Sequence, residues 1–136
     1  MMVVLVIVGV LAAVAYPAYT SHVLRSRRAD AVAFLSAIVQ AQERYRTNRS
    51  EYARTLSALG ITASTITRHY AVTLAGVGNP ESYAVGYVAT ARPISTSPQA
   101  NDSQCATLTV QMDGSTLSYL ARDSANNDTS AACWPR

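Results

Sequence analysis

The sequence predicts an α+β protein in which one long amino-terminal helix packs on a four-stranded antiparallel sheet. Three observations carry that expectation. Residues 1–46 contain no helix stop other than Gly9 and Pro17. From residue 68 onward, β-rich runs separated by Gly, Pro, Asn and Asp replace helical spacing. Asp113-Gly114 sits between two such runs and is a strong hairpin signal, so the strands are expected to follow one another as a meander.

The helix opens with residues 1–16, which carry no charge and no strongly polar group. At about 1.5 Å per residue the run spans roughly 24 Å, short of the ~20 residues that cross a hydrocarbon core. So much apolar surface is not left in water, because each Å² costs about 25 cal/mol. Three readings fit the run: a secretory h-region with Ala13-Val14-Ala15 as its cleavage pattern, a membrane anchor missing its first residues, or the apolar half of an assembly helix. The first of these lacks a basic n-region, since Met1 opens directly into the run. Pro17 removes one backbone bond and crowds the preceding turn, so a kink or locally melted stretch is expected between Gly9 and Pro17.

From Ser21 the spacing becomes amphipathic. Ala31, Leu35, Ile38 and Tyr45 define a stripe, widened by Val32, Phe34, Val39 and Ala41, that should cover the sheet. The chain is therefore expected to divide into an apolar helix half, residues 1–24, and a globular head, residues 25–136. Thr47-Asn48-Arg49-Ser50 ends the helix. Ser50 is expected to cap a short helix through Glu51, Tyr52, Leu56 and Leu59, stopped by Gly60, within a connecting loop over 47–67.

Strands are expected over 68–75, 82–91, 106–112 and 115–121, with Tyr83, Val85, Tyr87 and Ala89 alternating with smaller residues in the second. Residues 76–80 form a turn and 93–103 a polar loop. The tail, 123–136, has no periodicity and is expected to be ordered only through Cys133.

The 136 residues suit one domain with one modest core. Lys is absent, so all 11 basic residues are Arg, and against 8 acids the net charge is +3. Spread over the whole chain, that charge is a weak pointer to nucleic acid, which favours a dense basic face. No catalytic constellation is present: His22 and His69 stand apart, no nucleophile elbow exists, and no Gly-x-x-x-x-Gly-Lys motif would bind a nucleotide. An enzyme and a cofactor are therefore not expected. The 8 tyrosines have no cofactor ligand set beside them, and Tyr16 and Tyr19 read as packing residues.

Cys105 and Cys133 make an even count, which in an exported chain suggests one disulfide; a metal site would need His22 and His69 as further ligands. A crosslink closing that loop would contribute about 3–4 kcal/mol on the chain-entropy account. Asn48, Asn101 and Asn127 open glycosylation sequons, a number that chance supplies in a chain rich in Asn and Ser.

The block from Met2 to Pro17, continued by Arg28-Ala29-Asp30-Ala31 and by Gln40-Ala41-Gln42-Glu43-Arg44-Tyr45, resembles the amino-terminal helix of bacterial type IVa pilins. Cys105 to Leu108, Gly114 and Cys133-Trp134 resemble the PilE-like members, major or minor, of that family. The family's basic leader, its Gly-Phe cleavage point and the glutamate early in the mature helix fall upstream of Met1, and a late start is expected. The resemblance implies the type IV pilin fold and a structural subunit, held in the inner membrane and then packed into an extracellular filament used for adhesion, twitching motility or DNA uptake. Its partners would be further copies, other pilins and inner-membrane assembly machinery, and no cofactor is implied. Val4, Ile7, Val8, Gly9, Leu11, Ala12, Ala13, Tyr16 and Pro17 would pack the filament core. Arg44, Arg46, Arg49 and Arg54 are the candidates for anion or DNA contact, as in DNA-uptake pilins, although Glu43 and Glu51 among them also fit local ion pairs. The alternatives are a DNA-binding minor pilin and a secreted or periplasmic binding module that sheds its first segment. Arg25, Arg27 and Arg28 beyond the apolar run would by themselves favour the cytoplasmic side, whereas the cysteines favour an oxidising compartment.

Overall fold

A computed structural model describes residues 2–62, 66 and 68–135. Helix α1, Met2–Arg46, is followed by strands β1, Tyr70–Val77; β2, Ser82–Pro93; β3, Thr107–Asp113; and β4, Thr116–Arg122, and then by a short helix α2, Ser130–Cys133. The strands form one antiparallel sheet in the order β1-β2-β3-β4. The expected fold class, a long helix on a four-stranded meander, is the one observed. Part of the expected 47–67 loop, residues 63–65 and 67, lies outside the described residues, as do Met1 and Arg136.

Helix α1 runs unbroken through Gly9 and Pro17, so the expected locally melted stretch is absent. Pro17 removes a single amide donor, and the Ala-, Val- and Leu-rich turns on either side keep theirs. The Thr20 hydroxyl also donates to the Pro17 carbonyl at 3.0 Å. Along its second half, Ala31, Leu35 and Ile38 are wholly buried and Ala41 nearly so. The next position in that register belongs to Gln42, also fully buried, whereas Tyr45 of the expected stripe is only half-buried.

The helix covers the sheet face made by Tyr70, Tyr87, Ala89, Ala91, Leu108, Val110 and Ala121. In register, Leu108 stands opposite Ala91 and Ala121, and Val110 opposite Ala89 and Tyr119. Ala89 and Ala91 on β2, with Ala121 on β4, thus make room for the larger β3 side chains beneath the helix. The hairpin turn is Gly114-Ser115, one residue on from the Asp-Gly signal, with Asp113 paired to Thr116 and Gly114 at φ +60°. Close strand approach is strictest at Gly86, where an added Cβ would lie 2.0 Å from the Met112 carbonyl oxygen.

The expected helix from Ser50 does not form, and only Ser57–Leu59 coil, as a 3-10 turn ended by Gly60 at φ +68°. Its first half is drawn away by other partners: the Tyr52 amide donates to the Tyr83 carbonyl at 2.9 Å, and the Ala53 amide to Gln42 Oε1 at 2.8 Å. The tail is better ordered than its composition promised. Cys133 is bonded to Cys105, and hydrogen bonds add to the crosslink. Asp123 Oδ1 accepts from the amides of Ala125 and Asn127, and the Thr129 amide donates to the Ala121 carbonyl at 2.9 Å. The bonds to Asp123 hold its carboxyl below the usual carboxylate range, the Asn127 side chain contributing most.

From Val3 to His22 every residue is exposed. The helix is long and apolar enough to cross a membrane, with a mean hydropathy of 2.2 over its most apolar window, and no part of that window is covered by the head.

Candidate functional site

Where α1 ends, the chain turns back along its own last turns, and a side-chain amide fixes where it goes. Gln42 Nε2 donates to the Ala53 carbonyl at 2.9 Å while Gln42 Oε1 accepts the Ala53 amide. Together these two bonds imitate one rung of a β-ladder inside the core, since Gln42 and Ala53 are both fully buried. Tyr52 and Arg54 are thereby set on opposite sides of the anchored residue.

The Tyr52 ring packs on Tyr87 with centroids 5.0 Å apart. Burial, followed by the nearby Glu43 carboxylate, raises the Tyr52 hydroxyl above its ordinary value, and burial does the same for Tyr87. Three arginines lie over three tyrosines around this turn. The Arg46 guanidinium is 4.9 Å from the centroid of Tyr52, Arg49 is 4.2 Å from Tyr45, and Arg54 is 5.3 Å from Tyr83. Arg46 also donates to the Ser50 carbonyl and Arg49 to the Tyr45 hydroxyl. Beside these pairs lies an open groove of about 540 Å³ lined by Tyr45, Asn48, Arg49, Glu51, Tyr52 and Arg54.

A guanidinium lying over a ring engages the π-system with its face and keeps in-plane N–H donors for a planar or tetrahedral oxyanion. Each such pair is worth about 0.5–1 kcal/mol at an exposed position, enough to hold a long side chain extended. Neutralisation is slight. Among the described residues the cluster has one ion pair, Arg54 to Glu51 at 3.0 Å, with both side chains largely in solvent, where such pairs are worth about 0.2–1 kcal/mol. Arg44, on the exposed side of the last helical turn, has no acidic partner among the described residues. Of the expected anion-contact residues, the structure therefore brings Arg49 and Arg54 to one groove, sets Arg46 over the Tyr52 that lines it, and leaves Arg44 beside them.

The residues expected to pack a filament core, from Val4 to Pro17, stand exposed along the first half of α1, and an added Cβ at Gly9 would meet nothing. Cys105 and Cys133 are joined, so neither thiol is free to ligate a metal. His69 Nδ1 hydrogen-bonds Ser97 Oγ at 2.8 Å, a structural use, and His22 is exposed.

Two polar assemblies go beyond what the sequence suggests. The Gln42 clamp has one available signal, a polar residue in phase with Ala31, Leu35 and Ile38. The second is a bidentate ion pair between Arg28, on α1, and Asp102, in the loop between β2 and β3, with contacts of 2.8 to 3.1 Å. Their side chains are only 13% and 4% exposed, and Gln99 donates to both Asp102 and the Leu24 carbonyl. No local pattern joins residues 74 positions apart.

Compared with known families, residues 17–109 match the family described as type IV minor pilin ComP, DNA uptake sequence receptor. No curated protein matches the chain. The matched span contains the second half of α1, the clamp and the whole arginine-tyrosine groove.

Proposed function

Because the chain belongs to the family of the type IV minor pilin ComP, DNA uptake sequence receptor, we propose that it is a pilus subunit whose head offers the arginine-tyrosine groove to DNA. A structural and receptor role follows from the family; the contact residues and the division of labour along the chain are the proposal. The observation that carries it is the set of three ring-supported guanidinium groups around the end of α1, two of them, Arg49 and Arg54, lining one groove and Arg46 lying over its Tyr52, with Arg54 alone of the three paired to an acid among the described residues. Phosphates are the ligand such a set fits, because the charges are held in place before binding and little side-chain entropy remains to be lost.

Residues 1–24 would serve as membrane anchor and then as filament core, and residues 25–136 as the exposed head. The uncovered apolar stretch supports this, since in water it would be an aggregation surface and in a helix bundle or bilayer it is not. In lipid, packing and small residues decide helix association, which gives Gly9, Ala12 and Ala13 their role against further copies and other pilins. The subunit would reside in the inner membrane until the assembly machinery moves it into an extracellular filament.

The test is binding of a DNA duplex to the full chain in detergent over a range of salt. Each phosphate contact contributes about −0.9 to the slope of log affinity against log salt, so R46A/R49A/R54A should flatten the slope by about 3 and weaken all sequences alike. An unchanged slope in a folded triple variant would remove the groove from the reading. Mass determination of the native amino terminus adds a second check: loss of residues 1–15 would favour a secreted module over a filament subunit.

A further inference from the structure

The arginines that follow the apolar run need a counter-charge, and among the described residues the head supplies one to Arg28 only. Asp102, on the loop facing α1, is taken up by that pair. Arg27, the neighbouring residue, has no acidic partner among the described residues and lies in a separate notch. This notch, about 390 Å³, forms where α1 leaves the head; Tyr16, Tyr19, Val23, Leu24, Arg27 and Asn101 line it. Tyr16, Tyr19, Val23 and Arg27 recur at three, four and four along the helix, so they make one stripe.

We propose that this notch holds the headgroup of an anionic phospholipid in the leaflet on the head's side while the subunit is membrane-bound. The inference rests on the anchor reading above. Tyr16 and Tyr19 are 74% and 69% exposed at the end of the apolar run, the depth at which aromatic rings settle among headgroups. Arg27 lies about 12 Å further along the helix axis, and side chains on a helix lean back toward its amino terminus, so its guanidinium is directed toward the ring level. A phosphodiester there meets a cation and the Asn101 amide on the loop side, while its first acyl carbons meet Val23 and the tyrosine rings. Among the described residues no carboxylate lines the notch: Asp30, the next acid along the helix, borders a different cavity with Phe34 and Ile66. The occupant chosen is lipid because the groove is apolar below and cationic above, in the order that a bilayer presents its own layers. It also gives a use to a cation whose position is otherwise adverse to the orientation that the disulfide requires.

The full chain would be reconstituted in nanodiscs of equal parts phosphatidylglycerol and phosphatidylcholine, released, and weighed by native mass spectrometry with its retained lipid. Wild type is expected to favour phosphatidylglycerol about fivefold, the ratio that ~1 kcal/mol per surface cation gives. R27Q should bring that ratio near unity and Tyr19→Ala should reduce it without any change of charge, whereas R25Q, outside the notch, should keep it. Excess inorganic phosphate should not displace the lipid. The proposal is overturned if R27Q keeps the wild-type preference, if R25Q abolishes it equally, if inorganic phosphate competes, or if a second copy of the chain is retained in place of lipid. Flotation of the same reconstitutions separates the two readings. A chain that fails to float defeats the anchor reading and the notch with it; one that floats without lipid preference defeats the notch alone. DNA binding by R27Q, measured as above, should stay at the wild-type level.

Discussion

Replacing Gln42 by Leu removes both bonds of the clamp while keeping the volume of the side chain. The Ala53 N–H and C=O then lie in a fully buried position with no partner. Each buried backbone group left unpaired costs about 1–3 kcal/mol, and the extra apolar burial of Leu offsets about 1–2 kcal/mol, for a net loss of about 3 kcal/mol. At roughly 4 °C per kcal/mol for a chain of this size, the thermal midpoint should fall by about 12 °C. The measurement is thermal unfolding of the full chain in detergent, followed by near-ultraviolet circular dichroism. Amide exchange should localise the effect, with protection lost at Tyr52, Ala53 and Arg54 well before the sheet opens. Gln42→Glu is expected to be about as harmful at neutral pH, because one carboxylate oxygen then faces the Ala53 carbonyl. It should recover on acidification, when the protonated carboxyl regains a donor. A Gln42→Leu protein within about 1 kcal/mol of wild type, or one with unchanged protection across residues 52–54, would refute the claim that this clamp sets the loop.

Arg28→Gln leaves Asp102 buried and uncompensated and should cost about 3–5 kcal/mol in urea unfolding, while Arg28→Gln with Asp102→Asn should restore most of it, because the charge that suffers is then gone. Cys133→Ser opens a crosslink spanning a sequence separation of 28 and should lower stability by about 3–4 kcal/mol, with proteolysis beginning in the tail. Alkaline titration should destabilise the fold: burial pushes the Tyr70 hydroxyl from 10.0 up to about 12, with Asp102 adding to it, and Tyr87 is raised as well. Between pH 10 and 12 the unfolded chain releases those protons and the folded one keeps them, so stability present below pH 10 is lost as pH rises, and tyrosinate absorbance should show these two residues ionising only with unfolding.

How far the sequence can be read depends on the range of the interaction. Strand positions are legible to within two residues, because alternation and the Asp113-Gly114 signal are local properties of the chain. The short helix expected from Ser50 fails for the opposite reason. Its residues have adequate helical propensity, and the competing partners are Gln42 on one side and the Tyr83 carbonyl on the other, neither visible in the local pattern. The arginine cluster is legible as composition, but not the tyrosine under each guanidinium: Arg49 pairs with Tyr45 within one turn, whereas Arg54 meets Tyr83 across a gap of 29 positions.

By itself the sequence determined what local spacing and transfer energies govern: a long helix apolar at one end and amphipathic at the other, four strands in meander order, and two cysteines able to close the tail. Tertiary structure alone decided which polar groups face one another, joining Arg28 to Asp102, Gln42 to Ala53, and three arginines to three tyrosines around the end of α1. The physical reason is that apolar burial is non-directional and leaves a periodic trace in the chain. A hydrogen bond or a guanidinium over a ring is directional, and its partner is fixed only once the backbone has been placed.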